Sequence, residues 1–278
     1  MTFSRSSYRI FNLLAASALL GGVFFGPKAA VAAELSEILE RGYLIVGIKD
    51  NLRPLGFRNE QGNLEGFEVE LARYLAAVLL GNPEAVEFQP LTNPERLPAV
   101  LDGEVDLTIA RITATGVRSR LVDFSLPYYI DGTAFITRSA AVQELQDLQQ
   151  QPIAVLEGAD TIAIVRSLFP NARLVGVSSY EAAKLALERG EAAAFAADAS
   201  VLTGWVQEAP EYRLLPQLIS AEPLAIALPR GLQYDDLRRR VDQAIGQWQK
   251  EGGLRQQVLR WGLPEAGVPD ASGFGVEE

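Results

Sequence analysis

The chain of 278 residues contains no cysteine and no histidine. Without cysteine no disulfide can brace the fold, so its stability must rest on apolar cores. The same absence leaves no thiol to carry a lipid. Basic residues are in deficit: 25 Lys and Arg face 35 Asp and Glu, for a net charge of −10. That balance argues against nucleic acid as a partner, because phosphates demand a basic surface. The apolar run at 11–25 is short for a membrane span, which takes ~20 residues.

What is present at the N-terminus reads as a secretory signal over residues 1–33. Arg5 and Arg9 supply the basic start, and Ala30-Val31-Ala32-Ala33 offers small residues for cleavage after Ala32 or Ala33. An uncleaved anchor is the alternative. An exported chain without an anchor must be retained by a second membrane, so a periplasm is the expected compartment. Removing Arg5, Arg9 and Lys28, with no acid among them, takes the charge from −10 to −13. The 245 residues that remain after Ala33 suffice for two lobes of ordinary size.

The pattern alternates strand and helix, which argues for α/β architecture. Strands are expected near 43–48, 86–89, 105–109 and 134–137, then 153–156, 173–175, 192–197 and 224–228. One helical face is expected to carry Phe67, Leu71, Tyr74, Leu75 and Val78, with Glu68 and Glu70 favouring its start and Gly81 ending it. A helix to about Asp102 should be irregular at Pro98. A further helix over 160–169 precedes one over 178–189, where Ser178 and Glu181 suggest a capping box. Leu237, Val241, Ile245 and Trp248 define one face of a late helix. Two α/β blocks with a break near 131–137 argue for two lobes. The glycine- and acid-rich end, 265–278, reads as a loose tail.

The chain is organised around residues 104–129. A β-branched strand runs into Arg111-Ile112-Thr113-Ala114-Thr115-Gly116, and a short helical turn follows at 116–120. A hydroxyl-rich turn before a helical turn offers backbone N–H groups to an anion. Arg118, one turn on, can fork onto the same anion with two parallel hydrogen bonds. Arg118 with Thr113 is therefore a candidate carboxylate clamp. The plainer readings are a surface arginine and a helix-capping threonine. Asp198 ends the alanine-rich strand and begins a helix, where an acid must be capped, paired or open to a cavity. The turn 49–54 lies at the carboxyl end of the first strand, where open α/β sheets place their ligands. Tyr128 and Tyr129 read as core.

These pieces also resemble a known family. Ile112-Thr113-Ala114-Thr115-Gly116-Val117-Arg118 followed by Asp123-Phe124-Ser125 and Pro127-Tyr128-Tyr129 is similar to the signature of family 3 solute-binding proteins of amino-acid ABC importers. Gly66-Phe67-Glu68-Val69-Glu70-Leu71, Gly103 with Val105-Asp106, the segment 190–198, Leu228-Pro229-Arg230-Gly231, and Gly252-Gly253 with Trp261-Gly262 match further elements in order. The resemblance covers roughly 35–264 and implies the type II periplasmic-binding-protein fold: two α/β lobes, two hinge strands near 131–136 and 222–227, and a cleft between the lobes. It divides the chain into signal 1–33, first lobe 34–132 and 224–264, and second lobe 133–223. By resemblance, Arg118 and Thr113 take an α-carboxylate and Asp198 the α-ammonium. The loop Ala159-Asp160-Thr161 touches the ligand from the second lobe, and Leu52 flanks its side chain. At Arg111 the family usually has glycine or serine; an arginine there either fills the pocket or reads an acidic side chain.

The resulting expectation is a monomeric periplasmic receptor that binds an L-amino acid, acidic or polar, and delivers it to the membrane permease of an ABC transporter. It needs no cofactor, no metal and no catalysis, and it accommodates the lack of His and Cys. The alternatives are a dehydratase of prephenate-like acids on the same fold, with Lys49, Glu157 and Asp160 as acid/base groups, and a sensor domain. Lys49, Arg53 and Arg111 favour an acidic or amide ligand, unless they pair with Glu157 or Asp160 across the cleft.

Overall fold

The computed structural model describes residues 32–270; the expected signal segment 1–33 falls almost wholly outside the described residues. The first block runs α1 (Leu35–Arg41), β1 (Leu44–Ile48), β2 (Asn51–Leu52), β3 (Gly56–Arg58), β4 (Leu64–Glu65), α2 (Phe67–Leu80), β5 (Val86–Pro90), α3 (Pro98–Leu101), β6 (Leu107–Ile109) and β7 (Asp123–Phe124). Two strands then pass between the lobes' sheets and into the second: β8 (Tyr129–Asp131) and β9 (Thr133–Thr137). The second block follows as β10 (Pro152–Leu156), α4 (Thr161–Leu168), β11 (Arg173–Val177), α5 (Tyr180–Glu188), β12 (Ala194–Asp198), α6 (Ala199–Glu208) and β13 (Arg213–Leu214). The chain closes with β14 (Glu222–Leu224), β15 (Ala227–Leu228), α7 (Asp235–Lys250) and α8 (Gly253–Arg260).

Two five-stranded sheets result, ordered β5-β1-β6-β15-β7 and β11-β10-β12-β9-β13. In each, the first three strands in that order are parallel, as β1 with β5 and β6, and β10 with β11 and β12. Strands arriving from the other block, β15 and β9, add antiparallel. Each sheet is covered on both faces by apolar side chains. Leu44, Val46, Leu71, Leu75, Val241 and Ile245 share one core, and Leu91, Val100 and Val122 pack on the opposite face. The late helices α7 and α8 thus belong to the first lobe's core. Tyr74 stacks on Trp248 at 4.6 Å and its hydroxyl donates to the Ala244 carbonyl, which pins α2 to α7.

Between the sheets lies a separate two-stranded ribbon, β8 with β14, pairing Asp131 with Glu222 and Tyr129 with Leu224. The hinge therefore starts earlier than 131–136: β9 is a full member of the second sheet. Some other local expectations are corrected. Val78 is exposed, not part of the buried stripe. The cap of α5 is Ser179, whose hydroxyl accepts from Ala182 N–H at 3.1 Å, rather than Ser178. The tail begins packed: Gly267 is buried where a Cβ would lie 2.3 Å from the Tyr129 ring. Glu68 and Glu70 lie in the first turn of α2 as expected, and Glu68 is in addition fully buried.

The lobes are drawn together. A Cβ on Gly204 of α6 would sit 2.1 Å from the Arg53 carbonyl oxygen, so only glycine permits this approach. Gln207 of α6 donates to the Trp261 carbonyl of the first lobe at 2.7 Å.

Candidate ligand-binding site

The loops at the carboxyl ends of β1, β5 and β6 face α5 and α6 of the second lobe. Together they enclose a cavity of about 230 Å³ lined by Lys49, Asn51, Leu52, Asn93, Arg96, Arg111, Tyr180 and Val201. Three of these are cations and none is an acid. A second cavity of about 330 Å³ shares Asn51, Leu52, Tyr180 and Val201 with the first and continues toward Arg53 and Trp205.

Arg111 dominates the floor. It is the one non-glycine residue with positive φ, +49°, among the described residues. Such a backbone is strained for a side-chain-bearing residue and needs support on both sides. Its N–H donates to Glu68 Oε1 at 2.7 Å, and its carbonyl accepts from Arg96 Nη1 at 2.7 Å. Tyr128 donates its hydroxyl to the same Glu68 oxygen at 2.5 Å. Burial pushes the Glu68 carboxyl above its ordinary range, and these two hydrogen bonds work against that rise.

Held this way, the Arg111 side chain crosses to the second lobe. Its guanidinium pairs with Asp198, and its Nε donates to Ser200 Oγ at 3.2 Å and Asp131 Oδ2 at 3.4 Å. Asp131 is fully buried at the end of the hinge strand and accepts from the Ser200 N–H at 3.1 Å and the Ser200 hydroxyl at 2.5 Å. Asp198 occupies the N-cap position of α6 by its backbone, but its side chain makes no cap hydrogen bond. It turns toward Arg111 instead.

Lys49 is 6% exposed, and its ammonium donates to the Leu91 carbonyl at 3.0 Å. Burial first, and Arg96 second, lower its pKa. Among the described residues Arg96 donates only to carbonyls, those of Asn93, Ala110 and Arg111. Arg118 is half-buried and donates to the Thr113 carbonyl at 2.9 Å. No carboxylate lies within ion-pair distance of Lys49, Arg96 or Arg118 among the described residues.

Of the residues singled out from the sequence, Lys49, Leu52 and Arg111 line the 230 Å³ cavity. Arg118 lines a neighbouring one of about 300 Å³, which shares Asn93 and Arg96 with it. Thr113 bridges to Leu224 of the hinge. Ala159, Asp160 and Thr161 line neither cavity; Thr161 is buried at the start of α4. The turn expected to offer free N–H groups spends some of them internally, Arg118 N–H on Thr115 Oγ1 and Ser119 N–H on the Thr115 carbonyl. The cross-cleft pairing of cations with Glu157 or Asp160 does not form: Arg111 takes Asp198, and Arg53 lies 3.6 Å from Glu208. Sequence reasoning missed Arg96, Asp131, Ser200 and Tyr180. Arg96 was reachable by the rule that flagged Lys49, since it follows a parallel strand at its carboxyl end.

Two α/β lobes on a two-strand hinge, with a cation-lined cavity between them, define a cleft receptor for a small anionic or zwitterionic solute. The chain belongs to the bacterial extracellular solute-binding proteins, family 3, whose sequence profile matches residues 44–264. A glutamine-binding protein of Geobacillus stearothermophilus is 31% identical over 195 residues, 69% of this chain and 74% of the relative. A glutamate/glutamine/aspartate/asparagine-binding protein, BztA of Rhodobacter capsulatus, is 29% identical over 80% of this chain and 67% of its own. Among solved structures, an ancestral cationic amino acid solute-binding protein superposes with a TM-score of 0.69 at 27% identity, covering 82% of this chain and 98% of that one.

Proposed function

We propose that the protein is a periplasmic receptor for an L-amino acid, acidic or polar, that closes on its ligand and presents it to the permease of an ABC transporter. The observation that carries this reading is the opposed pair of end groups. Arg118 and Thr113 stand on the first lobe and Asp198 on the second; Arg118 lines the 300 Å³ cavity, and Asp198 is held by Arg111, which lines the adjoining 230 Å³ one. In this reading Arg118 takes the α-carboxylate, Asp198 takes the α-ammonium when Arg111 yields it, and Leu52 bounds the side chain. A ligand bridging two lobes favours the closed state by contacts the open state lacks. Relatives named for glutamine and for the acid and amide amino acids support an amino acid as the solute class. The division into signal 1–33, first lobe 34–132 with 224–264, and second lobe 133–223 is part of the same reading, as is a monomer without cofactor.

The protein is read as a binder, not an enzyme. Relatives named as binding proteins support that reading. A thermal-shift screen with the twenty amino acids tests the reading, since a ligand bound only by the folded state raises its melting point. A rise with one or a few amino acids, recovered unchanged after incubation, is the expected result. No rise with any of them, or turnover of the bound compound, contradicts it.

A further inference from the structure

Arg111 stands where an incoming ammonium would need to go. Its backbone is locked by Glu68 on one side and Arg96 on the other, so its side chain cannot simply retreat into solvent with a new backbone course. Its guanidinium is already spent on Asp198, Asp131 and Ser200. A ligand ammonium competes with it for Asp198. If it wins, the guanidinium keeps Asp131 but loses Asp198, in a cavity that also holds Lys49 and Arg96. A neutral zwitterion brings one carboxylate, and Arg118 is placed to take it. It offers nothing to the three remaining cations.

An acidic amino acid changes that balance. It brings a second carboxylate into a lining that has donors to spare. The Lys49 ammonium has three donors and spends one on the Leu91 carbonyl. The Arg96 fork is engaged by carbonyls alone. A partly buried cation with no carboxylate in ion-pair contact is costly, and a carboxylate brought into contact offsets part of that cost. The second carboxylate would therefore sit among Lys49, Arg96 and the released Arg111, while the ammonium settles on Asp198.

We propose that Arg111 is the specificity-determining residue of the cleft: it occupies the ammonium receptor and yields it only to amino acids that carry a second carboxylate. Lys49 and Arg96 complete the subsite for that carboxylate. This inference rests on the amino-acid receptor reading given above. The ligand class is the dicarboxylic amino acids, and the isosteric amides are the natural comparison because they differ in charge and hardly in shape.

The test is calorimetric titration of the wild-type protein and of Arg111→Ser with glutamate and glutamine, and with aspartate and asparagine. In the wild type one acid should bind at least about 10-fold more tightly than its amide, the value of a charge-assisted hydrogen bond or two. In Arg111→Ser the amide should gain and the acid preference should collapse toward parity. Lys49→Gln provides a second variant should Arg111→Ser fail to fold: it should weaken the acid by a similar factor and the amide by clearly less. An unchanged acid-to-amide ratio in Arg111→Ser, equal weakening of both by Lys49→Gln, or a wild type that prefers the amide overturns the inference while leaving an amino-acid receptor in place. A wild type that binds no amino acid at all removes the receptor reading and the inference with it.

Discussion

The guanidinium of Arg111, on the first lobe, is ion-paired with the carboxylate of Asp198, on the second. One hydrogen-bonded cluster thus joins β6, the hinge strand β8 and the start of α6, with Asp131 and Ser200 as its other members. The tie bridges the two lobes.

Breaking this tie should open the lobes. The chain has no cysteine, so spin labels can be placed uniquely at Leu232→Cys and Leu185→Cys, positions 89% and 46% exposed on the first and second lobes. Pulsed electron-spin distance measurements on the ligand-free protein should give one short, narrow distribution. Adding Arg111→Ser should broaden it and move it outward. Identical distributions would show that the ion pair does not hold the lobes.

Gly204 separates closure from folding. It lies inside α6, where alanine ordinarily stabilises a helix by roughly 0.5–1 kcal/mol. Its Cβ, however, would meet the Arg53 carbonyl oxygen at 2.1 Å. Gly204→Ala should leave the melting point unchanged or raised while weakening ligand binding by about 10-fold or more, since closure then costs ~1.4 kcal/mol or more. Calorimetry and thermal denaturation of the same sample check both halves. Unweakened binding would mean that bound closure does not need this approach.

Glu68 should leave a signature in the pH dependence of stability. Burial raises its pKa in the folded state. A carboxyl with a raised folded pKa contributes stability that is full below its unfolded pKa, ~4.3, and is lost as pH rises through the folded value. Glu68→Gln keeps an acceptor for Arg111 N–H and Tyr128 while removing the titration. The melting point of the variant, relative to wild type, should therefore climb as pH is raised from 4 toward neutrality. A constant difference across that range would contradict this assignment.

Much of the architecture could be read from the sequence because it rests on repeating local rules. Val46, Leu71, Leu75, Val241 and Ile245 announce their buried faces by spacing, and glycines at 81 and 190 end helices with positive φ. The return of α7 and α8 to the first lobe could not be read that way, because an amphipathic stripe does not name the sheet it covers. The site was legible one residue at a time: Arg118, Thr113, Asp198 and Arg111 each stand in a suggestive turn. What could not be read was that Arg111 and Asp198 meet. They are 87 positions apart, and their contact depends on how far the lobes close. Glu68 shows the same limit. Its place at the head of α2 looks like helix-start electrostatics, and only the packing of Tyr128 and the Arg111 turn makes it a buried acceptor.

The central claim is that Arg118 clamps the α-carboxylate of an amino acid. Removing one partner of a buried charge pair costs roughly 3–5 kcal/mol, or about 10²- to 10³-fold in affinity. Arg118 has no acidic partner among the described residues, so its loss should hardly disturb the fold. The direct measurement is calorimetric titration of wild type and Arg118→Ala with whichever amino acid raises the melting point. The account predicts binding lost or weakened at least about 100-fold in a variant that melts near the wild-type temperature; equal affinity in the two proteins would contradict it.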